Sequence, residues 1–130
     1  MTQPPTDLRY TEQHEWVRAS GTVARVGVTE HAAQTLGDIV YVSLPTVGAQ
    51  VSAGDACAEL ESTKSVSDVY APVSGVVAAV NDAIADSPEW INGDPYGDGW
   101  LFDIEMDVAQ LPDSLLTPGA YISYLEASES

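Results

Sequence analysis

The chain has 130 residues, with 20 acidic side chains against 4 basic ones and a formal net charge of −16. That length fits one domain, and a hydrophobic content of 45% supplies a core without covalent staples. A field of this sign repels phosphate backbones and anionic lipid, so no nucleic-acid and no membrane partner is expected. It steers the chain instead towards basic patches on other proteins. An acidic proteome, in which such surfaces serve solubility, is an equally open and compatible reading. The lone cysteine, Cys57, rules out an intrachain disulfide and fits a reducing compartment. No run approaches the ~18–20 apolar residues of a membrane span. The N-terminal residues have neither a basic and apolar leader nor an Arg-rich one, so a cytoplasmic location is expected.

Residues 1–8 read as a flexible leader to a single domain over 9–127. His14–Arg18 and Thr22–Val28 flank Ser20-Gly21, a hairpin signal. Thr29 is a candidate N-cap for a short helix reaching Leu36, with Glu30 suited to the positive helix end and Gly37 as the stop. Four β-like runs follow, Ile39–Leu44, Ala56–Glu61, Val66–Tyr70 and Val76–Val80, punctuated by Pro45, Gly48, Gly54, Pro72 and Gly75. After Asn81 the pattern predicts a turn-rich connection, then a strand over Trp100–Met106. Thr117-Pro118 is an N-cap and N1 pair for a closing helix to about Ala127.

A weak repeat runs through the centre. Pro45 and Gly48 recur as Pro72 and Gly75, and the same offset of 27 residues takes Val42 to Val69 and Asp55 to Asp82. Carried back from Lys64 it lands on Gly37. Two similar β-units, bent once at glycine and once at lysine, predict a quasi-twofold sandwich or flattened barrel.

Lys64 is the only lysine in the chain. It stands in the bend Ser62-Thr63-Lys64-Ser65, which holds no Gly, Asn or Pro, so turn chemistry alone does not select lysine there. A hairpin tip offers an uncrowded amine on a flexible stem, while the strands give a modifying enzyme something rigid to grip. Glu61 and Asp68 flank the tip and offer contacts to a basic pocket. An exposed turn lysine is otherwise an unremarkable surface residue; its uniqueness favours attachment.

Lys64 on a hairpin is similar to the attachment site of lipoyl and biotinyl carrier domains. Biotin modules place methionine on both sides, whereas Thr63 and Ser65 stand here, which disfavours biotin. Longer stretches resemble the H-protein family of the glycine cleavage system: Tyr10 to Val17, Val26 to Thr29, Leu36 to Gly48, Glu61 to Gly75, Asn92 to Gly97 and Gly99 to Leu101. The resemblance implies a mainly β fold, a barrel-sandwich hybrid of the lipoyl/biotinyl-carrier type with two or three short helices, acting as a monomer. It implies lipoate joined by an amide to Lys64, and no enzymatic activity of the chain's own. The implied partners are a pyridoxal-phosphate glycine decarboxylase, an aminomethyltransferase using tetrahydrofolate, dihydrolipoyl dehydrogenase, and lipoate-attaching enzymes. Glu15 and Asp68 match the family's acids that shelter the aminomethyl-lipoyl arm. Gln13 stands where some members have serine, and its amide can still accept a hydrogen bond from an amine.

Two other readings remain open from sequence: a relay from which lipoyl groups pass to other acyltransferase complexes, and an unmodified interaction module. His14 and His31 lack spaced third and fourth ligands, so no metal site is expected. Cys57 has no cation beside it in sequence and reads as a packing residue. The three tryptophans read as core or interface anchors, and Gly97-Asp98-Gly99 as a turn rather than a phosphate loop.

Overall fold

Short β-branched runs broken by glycine and proline favour antiparallel strands with tight connections, and the chain folds accordingly. The computed structural model describes residues 5–107, 111–112 and 114–129. In chain order the strands are β1 (Arg9–Tyr10), β2 (Glu15–Ser20), β3 (Val23–Val28), β4 (Ile39–Ser43), β5 (Gln50–Val51), β6 (Ala56–Ser62), β7 (Val66–Tyr70), β8 (Gly75–Val80) and β9 (Phe102–Met106). The helices are α1 (Glu30–Leu36), α2 (Asp82–Asp86), α3 (Glu89–Gly93) and α4 (Pro118–Glu129). The strands form two sheets, β1-β2-β3-β9-β8-β5 and β4-β6-β7, with every pairing antiparallel. The result is a two-sheet sandwich rather than a closed barrel.

The main core lies between the sheets, with Val26, Leu60, Val69, Val77, Phe102 and Ile104 almost wholly out of solvent. Strand alternation delivers these residues: Ala58 and Leu60 of β6 are buried while Glu59 between them is exposed. A second cluster joins α4 to the first strands through Leu8, Tyr10, Trp16, Tyr121 and Leu125. The Tyr10 and Tyr121 rings stack there with centroids 4.6 Å apart. Of the residues read as a leader, 1–4 lie outside the described ones, and Leu8 is fully buried in this cluster.

The 27-residue offset marks a real spatial relation. It superposes β4 on β7, and these strands run parallel to each other on the two flanks of β6. It also relates β5 to part of β8, which pair directly through Gln50–Val76 and Val51–Gly75. The two matched bends meet, since the Thr63 N–H donates to the Asp38 carbonyl at 3.2 Å.

The caps read from sequence are in place. The Thr29 hydroxyl accepts from the Ala32 N–H, Gly37 ends α1 at φ 85°, and the Thr117 hydroxyl accepts from the Ala120 N–H. The segment after Asn81 differs from expectation. It forms two five-residue helices, α2 and α3, and brings the helices among the described residues to four. Helices this short have almost no intrinsic stability or readable periodicity. They exist because Ile84 and Ile91 are each fully buried, and because the Asn81 amide donates to the Asp98 and Trp100 carbonyls at 2.8 Å each.

Gly27 faces Trp16 across the β2–β3 pair, and a Cβ placed there would come within 2.5 Å of the Trp16 ring. Gly27→Ala should therefore overpack a buried indole and lower stability by about 1–3 kcal/mol. Urea unfolding monitored by tryptophan fluorescence should show a lower midpoint at unchanged slope.

Candidate functional site

The β6–β7 hairpin builds the site. Its register pairs Glu59 with Asp68, Leu60 with Ser67 and Glu61 with Val66, so Glu59, Glu61, Val66 and Asp68 share the outer face. Tyr41 of β4 stands opposite Glu61 and continues that row. Tyr41 and Val66 are 55% and 57% exposed, giving the acidic face two apolar contacts near the tip.

The bend closes without glycine because Ser62 organises it. Its backbone N–H donates to the Ser65 carbonyl at 2.8 Å, and its hydroxyl accepts from the N–H groups of Lys64 and Ser65 at 3.1 and 3.0 Å. Serine at the first turn position thus replaces the usual turn formers. Lys64 is exposed at the apex, and its Nζ donates to the Thr35 carbonyl at the end of α1 at 3.1 Å. The exposed amine of the one lysine, on a rigid two-stranded support, fits a cofactor attached through an amide.

Glu15 lies elsewhere. It opens β2 and is 1% exposed; Oε1 accepts from the Thr11 hydroxyl at 2.7 Å and Oε2 from the Tyr70 N–H at 2.9 Å. It therefore sits at the far end of β7 from the lysine, six residues or roughly 20 Å along the strand. There it lines a cleft of about 460 Å³ with Gln13, Glu12, Tyr70, Pro72 and neighbouring residues. Asp68 is exposed on β7 between tip and cleft. Lys64 before β7, Asp68 on it and Glu15 of β2 against its far end are thus spread along the length of β7 rather than gathered in one pocket. Burial pushes the Glu15 carboxyl above its usual range, only partly offset by its two hydrogen bonds.

Residues 8–128 match the family model described as glycine cleavage H-protein. The chain belongs to the glycine cleavage H-protein family. It is 58% identical over 117 residues to the glycine cleavage system H protein of Beutenbergia cavernae, covering 90% of this chain and 92% of that one. It is 52% identical over 122 residues to a probable glycine cleavage system H protein of Haloarcula marismortui, covering 94% and 96%. Among solved structures, a glycine cleavage system H protein from Mycobacterium marinum superposes with a TM-score of 0.84 at 42% identity, covering 98% and 100%. H proteins are lipoyl carriers, and the fold expected from the H-protein resemblance is the one observed.

The other residues singled out in sequence sit away from the H-protein hairpin tip. His14 and His31 have ring centroids 4.6 Å apart, and His14 Nδ1 shares a 2.8 Å hydrogen bond with the Tyr121 hydroxyl, which also meets the Thr29 hydroxyl at 2.8 Å. Among the described residues no group of three or more potential metal ligands forms. Cys57 packs against the main core, and burial, with the nearby Glu15 and Asp55 charges, pushes its thiol up to about 11. It is a protonated packing residue at neutral pH. Trp16 is fully buried with its N–H on the Pro95 carbonyl at 2.9 Å, Trp100 lies under the Arg25 guanidinium at 3.9 Å, and Trp90 is partly exposed. Gly97-Asp98-Gly99 is a turn held by Asp94, whose carbonyl accepts from both glycine N–H groups. No sequence reading anticipated the Thr35, Gly37 and Asn92 contacts around the lysine; the 27-residue offset was the available signal.

The Glu15 shift has a definite pH consequence. The folded state holds this proton more tightly than the unfolded chain does, so the cost of burying the charge is absent below the ordinary value of 4.5. Stability is lost as pH rises from there through the raised folded value. Glu15→Gln removes that titration and keeps an oxygen for the Tyr70 N–H. Urea unfolding across a pH series should show the variant gaining on the parent as pH rises above 4.5; parallel curves would refute the assignment.

Proposed function

We propose that Lys64 carries lipoate as an ε-amide, and that the chain moves the aminomethyl group of glycine from glycine decarboxylase to an aminomethyltransferase. The arm then goes to dihydrolipoyl dehydrogenase for reoxidation. The observation that carries this reading is the exposed amine of the only lysine at the apex of the β6–β7 hairpin, in a chain of H-protein family. When bound, lipoate supplies a dithiolane able to hold the one-carbon unit on sulfur. The chain presents, orients and shelters it, and has no catalytic residues of its own.

The outer face of the hairpin supports recognition by lipoate-attaching enzymes. Glu61 stands three residues before Lys64 and Asp68 four after, on the same side of the sheet. Arginines or lysines of an attaching enzyme can pair with these carboxylates while the apolar row of Tyr41 and Val66 excludes water. The cleft at the other end of β7 supports the sheltering role. A protonated aminomethyl group reaching it meets Glu15, whose buried charge is held only by neutral donors. Such a carboxylate gains more from an arriving cation than an exposed one does. Asp68 lies on the way and Gln13 at the rim.

No helix among the described residues is long and apolar enough to cross a membrane. The relatives and the acidic composition support a cytoplasmic chain that meets its partners transiently.

Intact mass of the protein from its native host should show one lipoyl group, mapped to Lys64 and lost in Lys64→Arg. Glycine-dependent release of carbon dioxide in a reconstituted system should fall to background in that variant. Native protein that is never lipoylated would sink the carrier reading. A deletion strain that cleaves glycine normally but fails to lipoylate other complexes would favour the relay instead.

A further inference from the structure

We propose that the α1–β4 turn is a rest for the Lys64 side chain, with Gly37 and Asn92 as positioning residues that fix the root of the arm before and after modification. The modified half of this statement rests on the carrier reading; the unmodified half does not.

The first observation is the acceptor. A helix leaves its last carbonyls without intrahelical partners. The Ala33 carbonyl is taken by the Gly37 N–H at 3.0 Å, but the N–H four residues beyond Thr35 belongs to Ile39 and donates to the Asn92 side chain at 2.9 Å. The Thr35 carbonyl is left for Lys64 Nζ, 3.1 Å away.

The second observation is the space. Gly37 has φ 85° and ψ −157°, a conformation reserved for glycine. A Cβ there would lie 3.2 Å from Lys64 Cε and 3.7 Å from Nζ, so the lysine stem lies across this turn. The 27-residue offset makes Gly37 the counterpart of Lys64 itself. The two bends meet, and of this matched pair only Lys64 has a side chain.

The third observation is rigidity. The Asn92 amide donates to the Gly37 carbonyl at 2.8 Å and to the Ala33 carbonyl at 3.4 Å, while its oxygen holds Ile39. The Thr63 N–H reaches the Asp38 carbonyl at 3.2 Å and ties the hairpin to the same turn. A resting place for a long side chain orders it only if the place itself is fixed, and here every polar group of the Asn92 amide is engaged in fixing it.

The chemistry allows the contact to survive modification. An ammonium has three N–H donors, and the ε-amide made from it keeps one. That remaining N–H can still donate to the Thr35 carbonyl. The bond opens when the arm reaches for the cleft roughly 20 Å away; while it holds, the mobile part of the arm begins at the amide carbonyl rather than at the hairpin apex. This shortens the volume the arm searches and favours directions leading away from α1.

Because lysine occurs once, incorporation of [ζ-15N]lysine labels one nitrogen in the whole protein. In the lipoylated protein that nitrogen gives a single amide correlation. Its solvent exchange should be roughly fivefold slower than in a free lipoyl-lysine peptide, the factor of an ordinary net hydrogen bond. Its heteronuclear NOE should lie nearer the backbone value than that of a free chain end. Gly37→Ala should abolish both differences at unchanged lipoyl content by intact mass, and Asn92→Leu should do the same by loosening the turn. Peptide-like exchange and NOE in the parent protein would overturn the proposal whether or not the variants fold. The labelled ammonium of the unmodified protein gives a second arm: order there without lipoylation in the host would leave the rest intact and defeat the carrier reading alone.

Discussion

Leu60 in the middle of β6 holds the functional geometry in place. It is fully buried, and β6 is hydrogen-bonded on both sides, to β4 and to β7. A one-residue slip of β6 against either neighbour would put Leu60 in water and Glu59 or Glu61 in the core, so the register is strongly fixed. That register places Ser62 opposite Ser65, sets the bend that presents Lys64, and aligns Tyr41, Glu61 and Val66 in one row. Lys64 sits at the tip, but its position is decided by an aliphatic side chain four residues away.

Charge is distributed to the same end. The four basic residues are three arginines and one lysine. Arg18 pairs with Asp7 and lies over Trp16; Arg25 pairs with Asp103 at 2.9 Å and lies over Trp100. Both belong to the large sheet, and Arg9 lies on β1 of that sheet. Lys64 is thus the one cation at the small sheet, whose outer face otherwise carries the acids Glu59, Glu61 and Asp68 beside the apolar Tyr41 and Val66. On the carrier reading, acylation of its amine would remove the one positive charge there and strengthen the attraction of a basic partner for the modified form over the unmodified one.

Much of this was legible in the sequence because local and global preferences agree. Thr29, Gly37, Ser20-Gly21 and the alternation in Ala56–Glu61 each specify the element that forms. The helices α2 and α3 were hidden because each depends on one buried isoleucine and on contacts to distant carbonyls. Glu15 was readable as an acid beside a conspicuous aromatic, yet nothing local says that both of its oxygens are consumed by Thr11 and Tyr70. The lysine's resting place was half visible. The offset of 27 residues paired Gly37 with Lys64, but only the folded chain shows that the two partners touch.

The Tyr121 hydroxyl has a consequence for how the protein is made. It meets both His14 and the Thr29 hydroxyl that caps α1, so a residue near the end of the sequence completes the start of the helix whose other end receives Lys64. During synthesis the β6–β7 hairpin leaves the ribosome well before Tyr121 does. The β6–β7 pair is therefore complete early, while α1 gains its last support only after α4 docks. A nascent chain at that stage already displays the lysine, but on a surface still being assembled.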